Sequence, residues 1–214
     1  MYVSNVYSNG SSPRTGSISV IDLATQAVTG EIKGVNCPEG LAVSPDGRKL
    51  YVASQCGSGR DPLFIVDTST TQTISEVPGL AVGNAVLLSR DGRKAYVTRA
   101  NFEWHDSVSG TKGAPLSVVD IDSNRIIKTL VLQISAAGLA LTPDGKHVLV
   151  TNGYQMSVID AQTDELVSNL SLRGYGNAVT VRSDNVVIAA VSDIRKFVTF
   201  PLRRALSPRA CASL

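Results

Sequence analysis

Leu41–Ser54 reads LAVSPDGRKLYVAS, two short apolar runs on either side of Ser-Pro-Asp-Gly. Proline sets φ for a turn, aspartate bonds the neighbouring backbone and glycine takes the left-handed position, so the stretch encodes a tight antiparallel hairpin. The phrase returns as VLLSRDGRKAYVTR from Val86 and LALTPDGKHVLVTN from Leu139, and more weakly as AVTVRSDNVVIAAV from Ala178. A second phrase alternates with it: SVIDLATQAV from Ser19, FIVDTSTTQTI from Phe64, SVVDIDSNRII from Ser117 and SVIDAQTDELV from Ser157. Each is a Val/Ile-rich run closed by a cluster of Asp, Thr, Asn or Ser and followed by another β-branched run, a second hairpin.

The aspartates of the second phrase stand at 22, 67, 120 and 160, spaced by 45, 53 and 40 residues. A period of about 40 to 50 residues is that of β-propeller blades, and two hairpins in series make one four-stranded antiparallel blade. The strands are short, rich in Val, Ile and Tyr, and apolar at consecutive positions, as required when both faces of each sheet pack against neighbouring blades. A helical reading fails because no window keeps a 3.6-residue period past a Gly, Pro or Asp. The expected fold is all-β, a propeller of four-stranded antiparallel blades.

With strands labelled a to d from the inside outward, Tyr2 opens the chain in a b strand. Three complete blades begin near Gly40, Val82 and Gly138, and a last one supplies a near Asn177, b near Val186 and c near Lys196. The expectation is an incomplete propeller of about three full and two partial blades over residues 1–200, followed by an irregular C-terminal tail over 201–214. A ring of seven such blades needs about 300 residues, so the chain reads as a fragment of a larger protein whose exposed blade edges invite self-association.

The phrases LYVAS, AYVTR and LVTNG, each preceded by an S/T-x-D-G turn and followed by a V-I/V-D strand, resemble the YVTN-repeat β-propellers over roughly residues 2–190. That resemblance implies kinship with seven-bladed propellers of the amine-dehydrogenase and cytochrome-d1 type, many of them periplasmic or extracellular. It implies little about ligand, because such propellers serve as scaffolds, hydrolases and cofactor holders.

Composition narrows the function classes. Lys and Arg total 20 against 18 for Asp and Glu, scattered singly, which leaves no electrostatic footprint for nucleic acid. No apolar stretch reaches the roughly 20 residues of a membrane span, and Met1 leads straight into YVSNVYSNG without a signal-peptide pattern. Cys37, Cys56 and Cys211 have neither zinc-site nor haem-attachment spacing, so no metal or cofactor is expected. Nucleophilic catalysis lacks a G-x-S-x-G elbow, and His147, beside an Asp-Gly turn, lies on the other face from His105. No catalytic residue is assigned.

The aspartates at 22, 46, 67, 91, 120, 144 and 160 read as turn-formers. The opposite face carries the d–a and b–c connections, which vary between blades. Its longest loop, RANFEWHDSVSGTKGAP from Arg99 to Pro115, holds the sole Trp. Loops on a rigid scaffold are where recognition concentrates, so Arg99, Asn101, Trp104, His105 and Asp106 are candidate binding residues; alternatively Trp104 covers a blade seam and the charges solvate an insertion. The d–a segments add Asn36, Glu39 and Asn84. If Ser44 pairs with Lys49, Cys37 lies directly opposite Cys56, a disulfide or close thiol contact; a bulge at Gly47 instead sends the two sulfurs to opposite faces as reduced, packed cysteines.

The expected function is an interaction or scaffold module that binds a protein or peptide partner. The alternative is part of a propeller enzyme, a lactonase-like hydrolase or a redox protein, whose catalytic groups lie in other blades.

Overall fold

The computed structural model describes residues 1–7, 15–56, 61–80, 83–99, 114–132 and 135–207. It is all-β apart from one helical turn. The first sheet has three strands, β1 (Tyr2–Tyr7), β2 (Thr15–Asp22) and β3 (Ala27–Ile32) in that order. The second has four: β4 (Pro38–Val43), β5 (Lys49–Ser54), β6 (Leu63–Asp67) and β7 (Thr73–Val77). The third, also of four, is β8 (Gly83–Leu88), β9 (Lys94–Arg99), β10 (Ala114–Asp120) and β11 (Arg125–Leu132). The last sheet runs β12 (Ala136–Leu141), β13 (His147–Asp160), β14 (Leu166–Val181), β15 (Val186–Val191) and β16 (Lys196–Pro201). The chain divides into two compact units, Met1–Val97 with Val119–Ile127 and Thr98–Val118 with Lys128–Leu214.

In the first unit, strand β5 shows why the repeat makes blades. Leu50 and Val52 point to one side, into a cluster with Ile18, Ile32, Phe64 and Val66. Tyr51 and Ala53 point to the other, against Leu63, Ile65, Val86, Ala95 and Val97. Side chains alternate across a strand, so four consecutive apolar residues require a sheet covered on both faces. A sandwich of two sheets would leave one of these faces wet.

In the second unit, β13 and β14 are long because each serves twice. The chain reverses within β13 at Gly153, which takes a φ of 65°, and the Ala161 N–H donates to the Lys146 carbonyl at 2.8 Å. Met156–Ser157 then pair with Leu170–Asn169 of β14, while Ala178–Val181 at its other end pair with Ala190–Val187 of β15. The five-stranded sheet thus joins one full blade to the a, b and c strands of the next. Its core gathers Leu149, Met156, Val158, Leu170, Val187, Ala189 and Phe200. Beyond β16 a single helical turn, α1 (Leu202–Ala205), buries Leu202 and Ala205 in the same core, and the Ser168 hydroxyl donates to the Ala205 carbonyl at 2.5 Å.

The Asp-Gly hairpins are built alike. Ser44, Ser89 and Thr142 hydroxyls donate to Asp46, Asp91 and Asp144 at 2.6 Å, and the N–H two residues after each aspartate donates to it at 3.1 Å. Gly47, Gly92 and Gly145 follow with φ of 74°, 71° and 74°. In the weaker fourth copy Asn185 takes that role at φ 60°, consistent with the tolerance of Asn for the left-handed region. At the c–d turns the Asp22 carboxylate accepts the Ala24 and Thr25 N–H groups at 2.8 Å, and Asp67 and Asp160 repeat the arrangement.

Hydroxyl and backbone N–H donors bonded to the ionised form hold these seven carboxyls below their usual range: Ser44, Ser69, Ser89, Ser123 and Thr142 side chains first at Asp46, Asp67, Asp91, Asp120 and Asp144, and the Thr25 and Thr163 N–H groups first at Asp22 and Asp160. A depressed folded-state pKa adds stability above the unfolded value, near 3.9, and loses it as pH falls through the folded value. The thermal midpoint should therefore be level above roughly pH 5 and drop below roughly pH 4. Combined Asp46→Asn, Asp91→Asn and Asp144→Asn, which keep the acceptor oxygen and remove the titration, should flatten the drop. An unchanged acid limb in the triple variant would mean that these turns do not carry it.

Candidate functional site

The sequence-derived site residues fall into three groups. Asn101, Trp104, His105 and Asp106 lie outside the described residues. Arg99, half-buried, ends β9 and belongs to the second unit. Asn36, Glu39 and Asn84 all lie in the first unit, where the structure relates them closely.

Glu39 and Asn84 are the second residues of inner strands β4 and β8. These strands approach so tightly that a Cβ on Gly40 would lie 2.7 Å from Ala85 Cα and 2.9 Å from the Asn84 carbonyl oxygen. Such an approach is open only to glycine. Glu39 is further fixed through its carbonyl, which accepts the Ser4 hydroxyl at 3.1 Å. Both side chains are half-buried and Asn36 is exposed.

A covalent tie secures the loops beside them. Cys37 and Cys56 are disulfide-bonded with Cα atoms 5.3 Å apart. The register differs from the simple sequence expectation. Leu41 faces Val52 and Val43 faces Leu50, but the pairing shifts between Pro38 and Gly40, so Pro38 faces Ser54. The Gln55 N–H donates to the Cys37 carbonyl at 3.0 Å. Cys37 is thus one residue out of line with Cys56, and a left-handed φ of 48° accompanies the side chain that meets it. The bulge sits at Glu39, away from the Gly47 turn. The Ser54 hydroxyl donates to the Asn36 carbonyl at 2.5 Å, and the Cys56 N–H donates to the buried Asp61 carboxylate at 3.0 Å. Segments 36–38 and 54–56 form one cross-braced pair of loops presenting Asn36.

The second unit holds polar features that sequence reading missed. The Asn152 amide donates to Ser157 Oγ at 3.1 Å, and the Ser157 hydroxyl donates to Asn169 Oδ1 at 2.6 Å, a chain across three strands. Tyr154 and Tyr175 meet edge to face with ring centroids 5.7 Å apart. The Asn-Gly pair at 152–153 was the available signal for the tight b–c turn that brings Tyr154 there. A shallow cavity of about 180 Å³ lies nearby in sequence, lined by Asn177, Val191, Ser192, Arg195, Lys196 and Phe197. Among the described residues no three His, Cys, Asp or Glu side chains are placed to share a metal ion. Among the described residues, the one displaced carboxyl outside the hairpin turns is that of Glu31, lowered by the Ser17 hydroxyl and then by Lys33.

These sheets and their two-sided cores define the chain as a β-propeller protein, incomplete as described. Solved structures agree on the fold. The chain is similar to Kuenenia stuttgartiensis hydrazine synthase at 19% identity and a TM-score of 0.56, over 92% of this chain and 74% of that one. It is similar to the Cps50 (Swd1) β-propeller domain of Myceliophteria thermophila at 20% identity and a TM-score of 0.66, over 87% of this chain and 58% of that one. No protein-family model and no curated protein matches the chain.

Proposed function

We propose that the chain is a propeller interaction module of the YVTN-repeat kind, which binds a protein or peptide on the face carrying the d–a and b–c connections. The observation that supports this most is the braced loop pair: a disulfide, the Ser54 hydroxyl and the Asp61 carboxylate hold 36–38 and 54–56 in place beside Glu39 and Asn84. Rigid loops bind without an ordering penalty, which is where preorganised sites gain affinity. The polar side chains there, exposed Asn36 and half-buried Glu39 and Asn84, are two amides and one carboxylate, suited to hydrogen bonding a peptide backbone. The Arg99–Pro115 loop, with Asn101, Trp104, His105 and Asp106, is proposed as a separate recognition segment on its own account, with Trp104 as its aromatic anchor.

The test is selection from a displayed random-peptide library, followed by affinity measurement on variants. Selected peptides should fall into those that lose about tenfold or more in affinity on combined Asn36→Ala and Asn84→Ala and those that lose as much on Trp104→Ala, the fold-change of about 1.4 kcal/mol that marks a real contact. Equal binding to all variants, or no peptide binding tighter than about 1 mM, contradicts the proposal.

A further inference from the structure

The cross-link beside Asn36 joins two cysteines in unlike surroundings. Cys37 is buried and Cys56 is partly exposed, so a thiol arriving from solution meets Cys56 first. Cys37 also carries a backbone conformation out of keeping with its place in the repeat. Among the described residues Gln26, Thr71, Asn124, Asp164, Asn185 and Arg195 share its left-handed φ, and each of them stands in a hairpin turn. Cys37, at φ 48°, stands instead in the link between the first sheet and β4. A non-glycine residue keeps such a φ only where its surroundings over-determine it. The bond to Cys56 is the covalent part of that restraint.

The blade itself does not depend on the bond. In the later copy of this hairpin Ala136 faces Asn152 and Leu139 faces Val150, the same register shift as between Pro38 and Gly40. The positions there that match the two cysteines are Ser135 and Tyr154, so the offset forms without a cross-link. Gly40 is wedged against the backbone of residues 84–86, which holds β4 whatever the state of the sulfurs. Relaxation on reduction is therefore confined to segments 36–38 and 54–56. The contacts that release are the Gln55 N–H on the Cys37 carbonyl and the Ser54 hydroxyl on the Asn36 carbonyl.

We infer that the Cys37–Cys56 bond is a reversible thiol–disulfide switch, which holds the Asn36 and Asn84 surface competent for peptide when oxidised and releases it when reduced; this rests on the peptide-binding reading of that surface. The reductant is a dithiol. One of its thiolates attacks Cys56 Sγ, the bond between the sulfurs breaks, and Cys37 leaves as a thiolate that takes up a proton. The second thiol then attacks the mixed disulfide, freeing Cys56 as a thiol and closing the reductant into its own disulfide. Two electrons and two protons pass to the protein, and the oxidised reductant runs the exchange backwards. Partly exposed, constrained disulfides belong to the labile class, in contrast to structural bonds that resist reduction.

The test equilibrates the full chain, without denaturant, in mixtures of reduced and oxidised dithiothreitol. Alkylation followed by mass measurement should show reactive thiols rising from one to three per chain and falling again on reoxidation. The amides of Gln55 and Cys56 should exchange with deuterium tenfold or more faster in the reduced protein, while those of Tyr51 and Val52 remain protected. Library peptides that depend on Asn36 and Asn84 should bind tenfold or more weaker after reduction and recover on reoxidation; those that depend on Trp104 should keep their affinity. Reduction that occurs only in denaturant overturns the switch, as does unchanged exchange at Gln55 and Cys56. Loss of the cooperative thermal transition on reduction also overturns it, by making the bond a staple of the fold. So does full affinity of the reduced protein for Asn36-dependent peptides. If thiol counts and exchange respond as stated but no peptide senses Asn36 and Asn84, the redox response of the loops stands and the peptide reading alone fails.

Discussion

Replacement of Gly138 or Gly40 by valine is expected to destabilise its own unit by about 3 kcal/mol, the upper end of overpacking effects. A Cβ at 138 would lie 2.6 Å from Ala178 Cα and 2.8 Å from the Val179 nitrogen, and one at 40 meets the backbone of residues 84–86 equally closely. In both places the obstacle is main chain, which cannot rotate away as a side chain would. The two glycines occupy matching positions in the repeat, on a strands that adjoin the a strand of the next blade. For a chain of this length the shift corresponds to roughly 6 to 12 °C in thermal midpoint. Gly30→Ala supplies the control: its Cβ would find Val20 at 3.8 Å, an ordinary contact, and it should leave the midpoint within about 2 °C. Scanning calorimetry reads both. Equal midpoints for Gly138→Val and Gly30→Ala would show that the inner strands are not packed backbone to backbone.

Removing the disulfide by Cys37→Ser with Cys56→Ser is expected to cost about 3 kcal/mol, from the freedom regained by an unfolded chain no longer closed into a loop of about 20 residues. The link joins residues 19 apart, so the effect is that of a short loop. A second loss accompanies it. Cys37 holds a left-handed φ of 48° that a non-glycine residue adopts only under constraint, so segment 36–38 relaxes and peptide affinity that depends on Asn36 falls with it. Urea titration of the oxidised protein, the double-serine variant and the dithiothreitol-treated native protein should place the last two together. Thiol titration in denaturant should give one reactive group per oxidised chain, from Cys211. Three groups would deny the bond.

Much of the fold was readable because its determinants are local. The consecutive apolar residues Leu50 to Ala53 demanded a sheet covered on both faces, and Ser44, Asp46 and Gly47 encode their turn within four residues, each by a bond or angle that the structure contains. The cross-strand register from Gly40 to Val43 followed from that turn. What escaped reading depends on more distant geometry. The bulge at Glu39 that offsets Cys37 from Cys56 follows no turn signal. The cavity beside Phe197 gathers residues from three strands, Asn177, Val191 and Lys196 among them, that stand far apart in the repeat. Periodicity within β16 alone does not distinguish Phe197 from Phe200, yet one is 75% exposed and the other 4%. The C-terminal turn Leu202–Ala205 has no counterpart in the repeat, and only its packing against the last sheet reveals its place.

The function proposed here draws on this division of labour. Turn aspartates and β-branched cores recur because every blade needs them, whereas Asn36, Cys37 and Cys56 are particular to one blade each. Features that the repeat does not require are the ones left to distinguish this propeller from others of the same build.

The most direct test is the pattern of interstrand proton contacts in solution. Nuclear Overhauser effects should connect Ala42 with Tyr51, Ala140 with Leu149, and Thr180 with Ile188, the same pairing in three copies of the repeat. Contacts between residues three apart within 41–54, or pairing of one copy's strands with another's in a single sheet, would contradict the blade architecture on which every statement about the binding surfaces depends.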